Sequence, residues 1–259
     1  MATLQQEAIA HPGSYWIIGN EPNVGDGSVS TPAQYATELE YYDQNIKGAD
    51  PTAKLVGPNV LNWDNTCTSC GGFPSGHTWT DQLRSAWATQ FGGEPPIDVW
   101  ALHAYSEDYN VLFQNHSLTD PTPLENDITG MSTYLTGIPA QATKSIWVTE
   151  FGIIWAFNGY SITSTGCPAA PSCFAPPIGT PTSVSYDSAG VTSFMNGFTT
   201  WAKAKGPAIR LQKWFIYIAS GTPESYMTTY AGISTMTDSG PTAVMTTYGQ
   251  LYQSEAMSP

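Results

Sequence analysis

Residues 15–23, Tyr15-Trp16-Ile17-Ile18-Gly19-Asn20-Glu21-Pro22-Asn23, pass from a short β-branched and aromatic run straight into a turn that carries a carboxylate. A run that stays apolar instead of alternating suits a strand covered on both faces, as in a parallel sheet. Four later stretches read the same way: Lys54-Leu55-Val56-Gly57, Ile97-Asp98-Val99-Trp100-Ala101-Leu102, Ser145-Ile146-Trp147-Val148-Thr149 and Lys213-Trp214-Phe215-Ile216-Tyr217-Ile218. Helical segments separate them. Thr31-Pro32 supplies an N-cap and a first-turn proline for a helix reaching about Lys47. Further helices are expected over Thr80–Phe91, Pro123–Leu135 and Ser188–Lys205, the last with Phe194, Phe198, Trp201 and Ala202 on one side. Alternating strand and helix predicts an α/β fold with a parallel sheet and right-handed crossovers. With no internal repeat or low-complexity linker, residues 1–259 read as one domain. Five units consume the whole chain, whereas a closed (β/α)8 barrel fits eight into roughly 250 residues. The sheet is therefore open, or a barrel that has lost units.

Composition narrows the partners. The 259 residues are 41% hydrophobic and 12% aromatic, enough for a large core, and the net charge of −13 repels phosphate backbones and anionic lipid. Nucleic acid and membrane surfaces are excluded as partners, and a neutral ligand suits this surface better. Only 11% of residues are charged while Gly (24) and Pro (20) abound, a balance that points to a secreted protein. No apolar run approaches the roughly 18 residues of a membrane span. The opening Met1–Glu7 lacks the basic and apolar regions of a signal peptide, so the natural N-terminus is expected upstream. Cys67/Cys70 and Cys167/Cys173 form two close pairs in loop-like stretches. Two local disulfides are the leading reading, with a shared four-thiolate zinc site or free thiols as alternatives. No His/Asp/Glu cluster shows metal-ligand spacing, and neither a metal nor another cofactor is expected.

Glu21 and Glu150 each directly follow an apolar run, at the C-terminal edge of the expected sheet, where barrel enzymes place catalytic groups. A glutamate at a strand end is ordinarily a solvated loop residue. Two of them at equivalent strand ends can instead face each other across one mouth. At about 5 Å apart, one carboxylate can attack an anomeric carbon while the other protonates the leaving oxygen; a gap above about 6.5 Å admits a water and inverts. Aromatic residues expected in the loops after the strands (Trp63, Trp79, Tyr109, Trp155, Phe157 and Tyr160) fit a glycan cleft, or simply pack those loops.

The flanking residues strengthen the pairing. Asn20-Glu21-Pro22, Lys54-Leu55-Val56-Gly57-Pro58, Leu102-His103-Ala104-Tyr105, Trp147-Val148-Thr149-Glu150-Phe151-Gly152 and Lys213-Trp214-Phe215-Ile216-Tyr217 occur in the order and spacing of strands four to eight in the clan A glycoside hydrolases, which the chain resembles from residue 15 to about 250. These are retaining enzymes built on a TIM barrel. The resemblance implies an incomplete TIM barrel of about five β/α units, with Glu21 as acid/base and Glu150 as nucleophile. It further implies Asn20 on the sugar 2-hydroxyl, Tyr105 as a donor to Glu150, and Trp214 as a stacking platform. His103 and Trp155 join the substrate-binding candidates, His103 with a buried structural role as the alternative.

Strands one to three of that pattern are missing, and residues 1–12 read as the tail of the third helix. Missing too is the early-strand arginine that steadies the nucleophile; Arg84 and Arg210 are the only arginines and neither stands in that position. Two unpaired sheet edges invite association, so a homodimer is expected over a monomer. The implied activity is a retaining β-glycosidase acting internally on a β-glucan or related polysaccharide. The alternative is a barrel relic that binds carbohydrate without turning it over.

Overall fold

The alternation of β1 Tyr15–Ile17, β2 Lys54–Leu61, β3 Val99–Tyr105, β4 Ser145–Gly152 and β5 Leu211–Ile216 with helices produces one five-stranded parallel sheet in the order β1-β2-β3-β4-β5. The structure, a computed structural model, describes residues 2–25, 31–64, 73–106, 119–153, 188–217 and 243–257. Its helices are α1 Ala2–Ala10, α2 Pro32–Tyr42, α3 Gly76–Gln90, α4 Thr122–Thr136, α5 Ser188–Lys205 and α6 Thr247–Met257. The sheet curls into a half-barrel, an incomplete α/β barrel.

Local chemistry sets the helix starts. The Thr31 hydroxyl accepts from the Gln34 amide at 3.2 Å and Pro32 occupies the first turn, as the sequence led us to expect. The helix expected from Thr80 begins a turn earlier, because Ser75 caps it by accepting from the Thr78 amide at 3.0 Å. This correction moves Trp79 from a loop into α3, where it is 1% exposed and packs edge-on to Tyr35. Trp63 is equally buried and stacks on His77. Neither is a sugar platform. The first twelve residues do hold a helix, α1, and α6 was not foreseen.

Strand alternation assigns the two faces. Leu55, Val60, Trp100, Leu102, Ala104, Ile146, Val148 and Phe151 share the outer layer with Leu83, Ile128, Phe194 and Phe198 of the helices. The inner face carries Val56, Val99, Ala101 and Trp147. Over Trp147, the Tyr15 ring of β1 lies tilted at 4.7 Å between centroids and the Lys213 ammonium of β5 sits 4.6 Å from the ring, so side chains of the two edge strands meet inside the curl. Tyr15, Ile17 and Phe215 nevertheless remain 48%, 54% and 40% exposed.

Phase breaks twice. Pro58 pairs with Ala101 and Val60 with Leu102, leaving Asn59 as an extra residue in β2; Leu102 pairs with Val148 and His103 with Glu150, leaving Thr149 extra in β4. A bulge of this kind re-aims the residues beyond it. Without the one in β4, Val148 and Phe151 could not both face the helices. With it, Glu150 lies beside His103 on the inner face.

Candidate active site

Glu21 sits four residues beyond β1 on a backbone bent into the left-handed region, φ 42°, after Gly19 at φ 81°. Its amide donates to the Asn59 carbonyl at 3.1 Å. The following loop is fastened to β2 by Asn23, which is buried, donates to the Leu61 and Pro74 carbonyls and accepts from the Leu61 amide at 2.8 Å. A loop fixed at both ends holds its carboxylate in one direction.

Three strand ends converge there. His103 Nδ1 lies 2.9 Å from Glu21 Oε1 and 3.3 Å from Glu150 Oε2, and the Tyr105 hydroxyl donates to the same Glu150 oxygen at 2.8 Å. One ligand-type atom each from Glu21, His103 and Glu150 fall within 4.8 Å of one another. These are also the atoms that could hold a cation, and each is engaged in the hydrogen bonds just described. Side-chain exposure is 14% for Glu21, 28% for Glu150 and 3% for His103. Both carboxylates reach solvent, whereas the imidazole beneath them does not. His103, a candidate for substrate contact, thus resolves to its alternative: a buried group within 3.3 Å of both acids.

The other candidates divide. Asn20 is exposed on the turn before Glu21. Trp214 pairs with Val148 and therefore faces outward, edge-on to Phe198 at 6.2 Å, with its carbonyl accepting from the Tyr252 hydroxyl. It does not floor the site. Tyr217, three residues on, packs with Leu61 and Tyr105 on the inner face instead. A count of alternation onward from outward-facing Ile216 would have found it. Arg84 pairs with Glu94, and Arg210 with the Lys144 and Ser132 carbonyls, so neither arginine serves Glu150. Trp155, Tyr109, Phe157, Tyr160 and the four cysteines Cys67, Cys70, Cys167 and Cys173 lie outside the described residues. Sequence reasoning also passed over Asn59, fully buried in an otherwise apolar strand, and gave no role to Thr149.

The model of the glycosyl hydrolase catalytic core family matches residues 1–248. The chain belongs to that family. This glycosidase is similar in fold to an endo-β-1,3-glucanase of family GH128, subgroup II, from Pseudomonas viridiflava, at a TM-score of 0.59 and 23% identity over 98% of this chain and 74% of that one. It is similar also to a glucosidase from Croceicoccus marinus (TM-score 0.52, 14% identity, 83% and 38% coverage) and to a monomeric β-xylosidase from Caulobacter crescentus (0.50, 13%, 92% and 40%). No curated protein matches the sequence.

Proposed function

We propose that the enzyme hydrolyses a β-glucan, cutting internally and with retention, by double displacement between Glu21 and Glu150. The observation that carries this is the convergence of one oxygen of each carboxylate to within 4.8 Å at one sheet edge, against the carboxyl gap of about 6.5 Å or more that an inverting water needs. Likeness to an endo-β-1,3-glucanase favours a β-1,3-linked substrate.

Glu150, its charge supported by the Tyr105 hydroxyl, attacks the anomeric carbon as the bond to the leaving oxygen breaks, and Glu21 gives that oxygen its proton. A water then attacks the same carbon from the vacated side. Glu21 takes the water's proton and the ester to Glu150 breaks, restoring both groups. In this reading Asn20, exposed beside Glu21, makes the hydrogen bond to the 2-hydroxyl of the sugar.

Release of reducing sugar from laminarin, with NMR of the anomer first formed, tests the reading. Glu150→Ala should abolish turnover and leave binding. Wild-type binding without turnover would favour the carbohydrate-binding relic, a reading supported by the lack of an arginine on Glu150. We further place the enzyme outside the cell with two local disulfides, which mass mapping without reduction would test. We propose that a second copy covers the exposed Tyr15, Ile17 and Phe215, and sedimentation velocity distinguishes that dimer from a monomer.

A further inference from the structure

We infer that Asn59 and Thr149, the extra residues of the two bulges, form a positioning pair that sets the spacing between Glu21 and Glu150. The inference rests on the two-glutamate reading above and assigns the pair no contact with substrate. Thr149 Oγ1 donates to Asn59 Oδ1 at 2.8 Å. The Asn59 amide group spends its donors on the Ile18 and Gly19 carbonyls, at 3.0 and 3.1 Å, and its main-chain oxygen accepts from the Glu21 amide. One side chain therefore ties the segment leading into Glu21 to the residue immediately before Glu150.

Three features favour positioning over general packing. Asn59 is 0% exposed, so its polar atoms have no water to fall back on, and a satisfied buried network of this kind specifies one geometry. It is held at φ 59°, a conformation that asparagine tolerates far better than β-branched residues. Thr149 is β-branched and stiff about χ1, and its hydroxyl also faces the Leu102 carbonyl at 3.3 Å, so it has little freedom to leave the pair. Both bulges fall at the level where the inner face turns from apolar packing to acid and imidazole. Misplacing a reacting group by about 1 Å can cost about a hundredfold in rate.

The test compares Thr149→Val, which keeps the shape and loses the hydroxyl, with Thr149→Ser, which keeps the hydroxyl. Active sites are counted with a 2-deoxy-2-fluoro glycoside and steady-state kinetics run on laminari-oligosaccharides. The pair requires Thr149→Val to lose about 10- to 100-fold in kcat with KM within about twofold, and Thr149→Ser to recover most of that loss. Wild-type kcat in Thr149→Val, or equal losses in Val and Ser, overturns it. Should Thr149→Val not fold, Thr149→Ala takes its place under the same criteria. Glu21→Ala rescued by azide, with a glycosyl azide as product, checks the underlying mechanism separately: undiminished turnover in Glu21→Ala removes that mechanism and the pair with it.

Discussion

One ring nitrogen serves two acids: His103 Nδ1 stands 2.9 Å from Glu21 Oε1 and 3.3 Å from Glu150 Oε2. With a proton on Nδ1, the ring would donate to Glu21 with Glu150 Oε2 close beside the same hydrogen. During double displacement the negative charge begins on Glu150 and moves to Glu21 once the sugar is esterified, so the donor meets whichever carboxylate is charged. His103→Phe should slow both half-reactions, by about 10- to 100-fold each. Burst kinetics with a dinitrophenyl β-glycoside separate the two steps, and a loss confined to one of them would contradict the shared role.

Tyr105 reaches the second acid through a 2.8 Å hydroxyl bond to Glu150 Oε2. Tyr105→Phe keeps the ring packed against Leu61 and removes that donor. The formation of the glycosyl-enzyme should therefore slow by about tenfold or more, visible as a smaller rate constant for the burst, while melting temperature changes little.

Gly19 is where the backbone leaves β1 for the catalytic turn. Its φ is 81°, and a Cβ added there would come within 2.9 Å of the Tyr35 ring, whose hydroxyl donates to the Ile18 carbonyl. Gly19→Ala meets both obstacles, unfavourable dihedral and collision, at a combined cost of about 1–3 kcal/mol. Thermal unfolding measures the loss, and activity should fall with it because Glu21 is two residues away.

Much of this was legible before any coordinates, for physical reasons. Uninterrupted apolar runs such as Ile146-Trp147-Val148 require cover on both faces, so the parallel sheet followed from sequence, as did Glu21 and Glu150 at its C-terminal edge. The bulges did not. An extra residue in a ladder is decided by which neighbours face inward, and nothing local to Thr149 records that Phe151 must meet Phe198 across the outer layer. The misassignment of Trp214 has the same origin. Aromatic character marks a stacking surface only once its face is known, and the register with Val148 turned that residue toward the helices.

Away from the site, Arg84 grips Glu94 with two hydrogen bonds, Nε to Oε2 at 2.8 Å and Nη2 to Oε1 at 2.6 Å. That grip holds the Glu94 carboxyl below its ordinary range, against the opposing effect of partial burial. A carboxyl lowered by folding stabilises the fold above its unfolded value, and the contribution is lost as pH falls through the folded value. Glu94→Gln should therefore lower the melting temperature at pH 7 by about 2–4 °C, the equivalent of about 1 kcal/mol. The difference should close as the pH drops below about 4. An undiminished gap at pH 3 would show that the pair's charge is not its contribution.

The placement of two aromatics makes the sharpest division between site and scaffold. Trp214 lies in the outer layer against Phe198, and its carbonyl receives the Tyr252 hydroxyl, so α5, β5 and α6 meet around it. Truncating it leaves a void beneath two helices, and Trp214→Ala should cost about 3–5 kcal/mol. In molecules that remain folded, KM for laminari-oligosaccharides should be unchanged. Tyr217 presents the reverse case, packed beside Leu61 and Tyr105 on the inner face. Tyr217→Ala should raise KM by about tenfold with a smaller loss of stability. Measuring melting temperature and KM on both variants decides the matter: a raised KM in Trp214→Ala at full occupancy of the folded state would return the tryptophan to the sugar-binding floor.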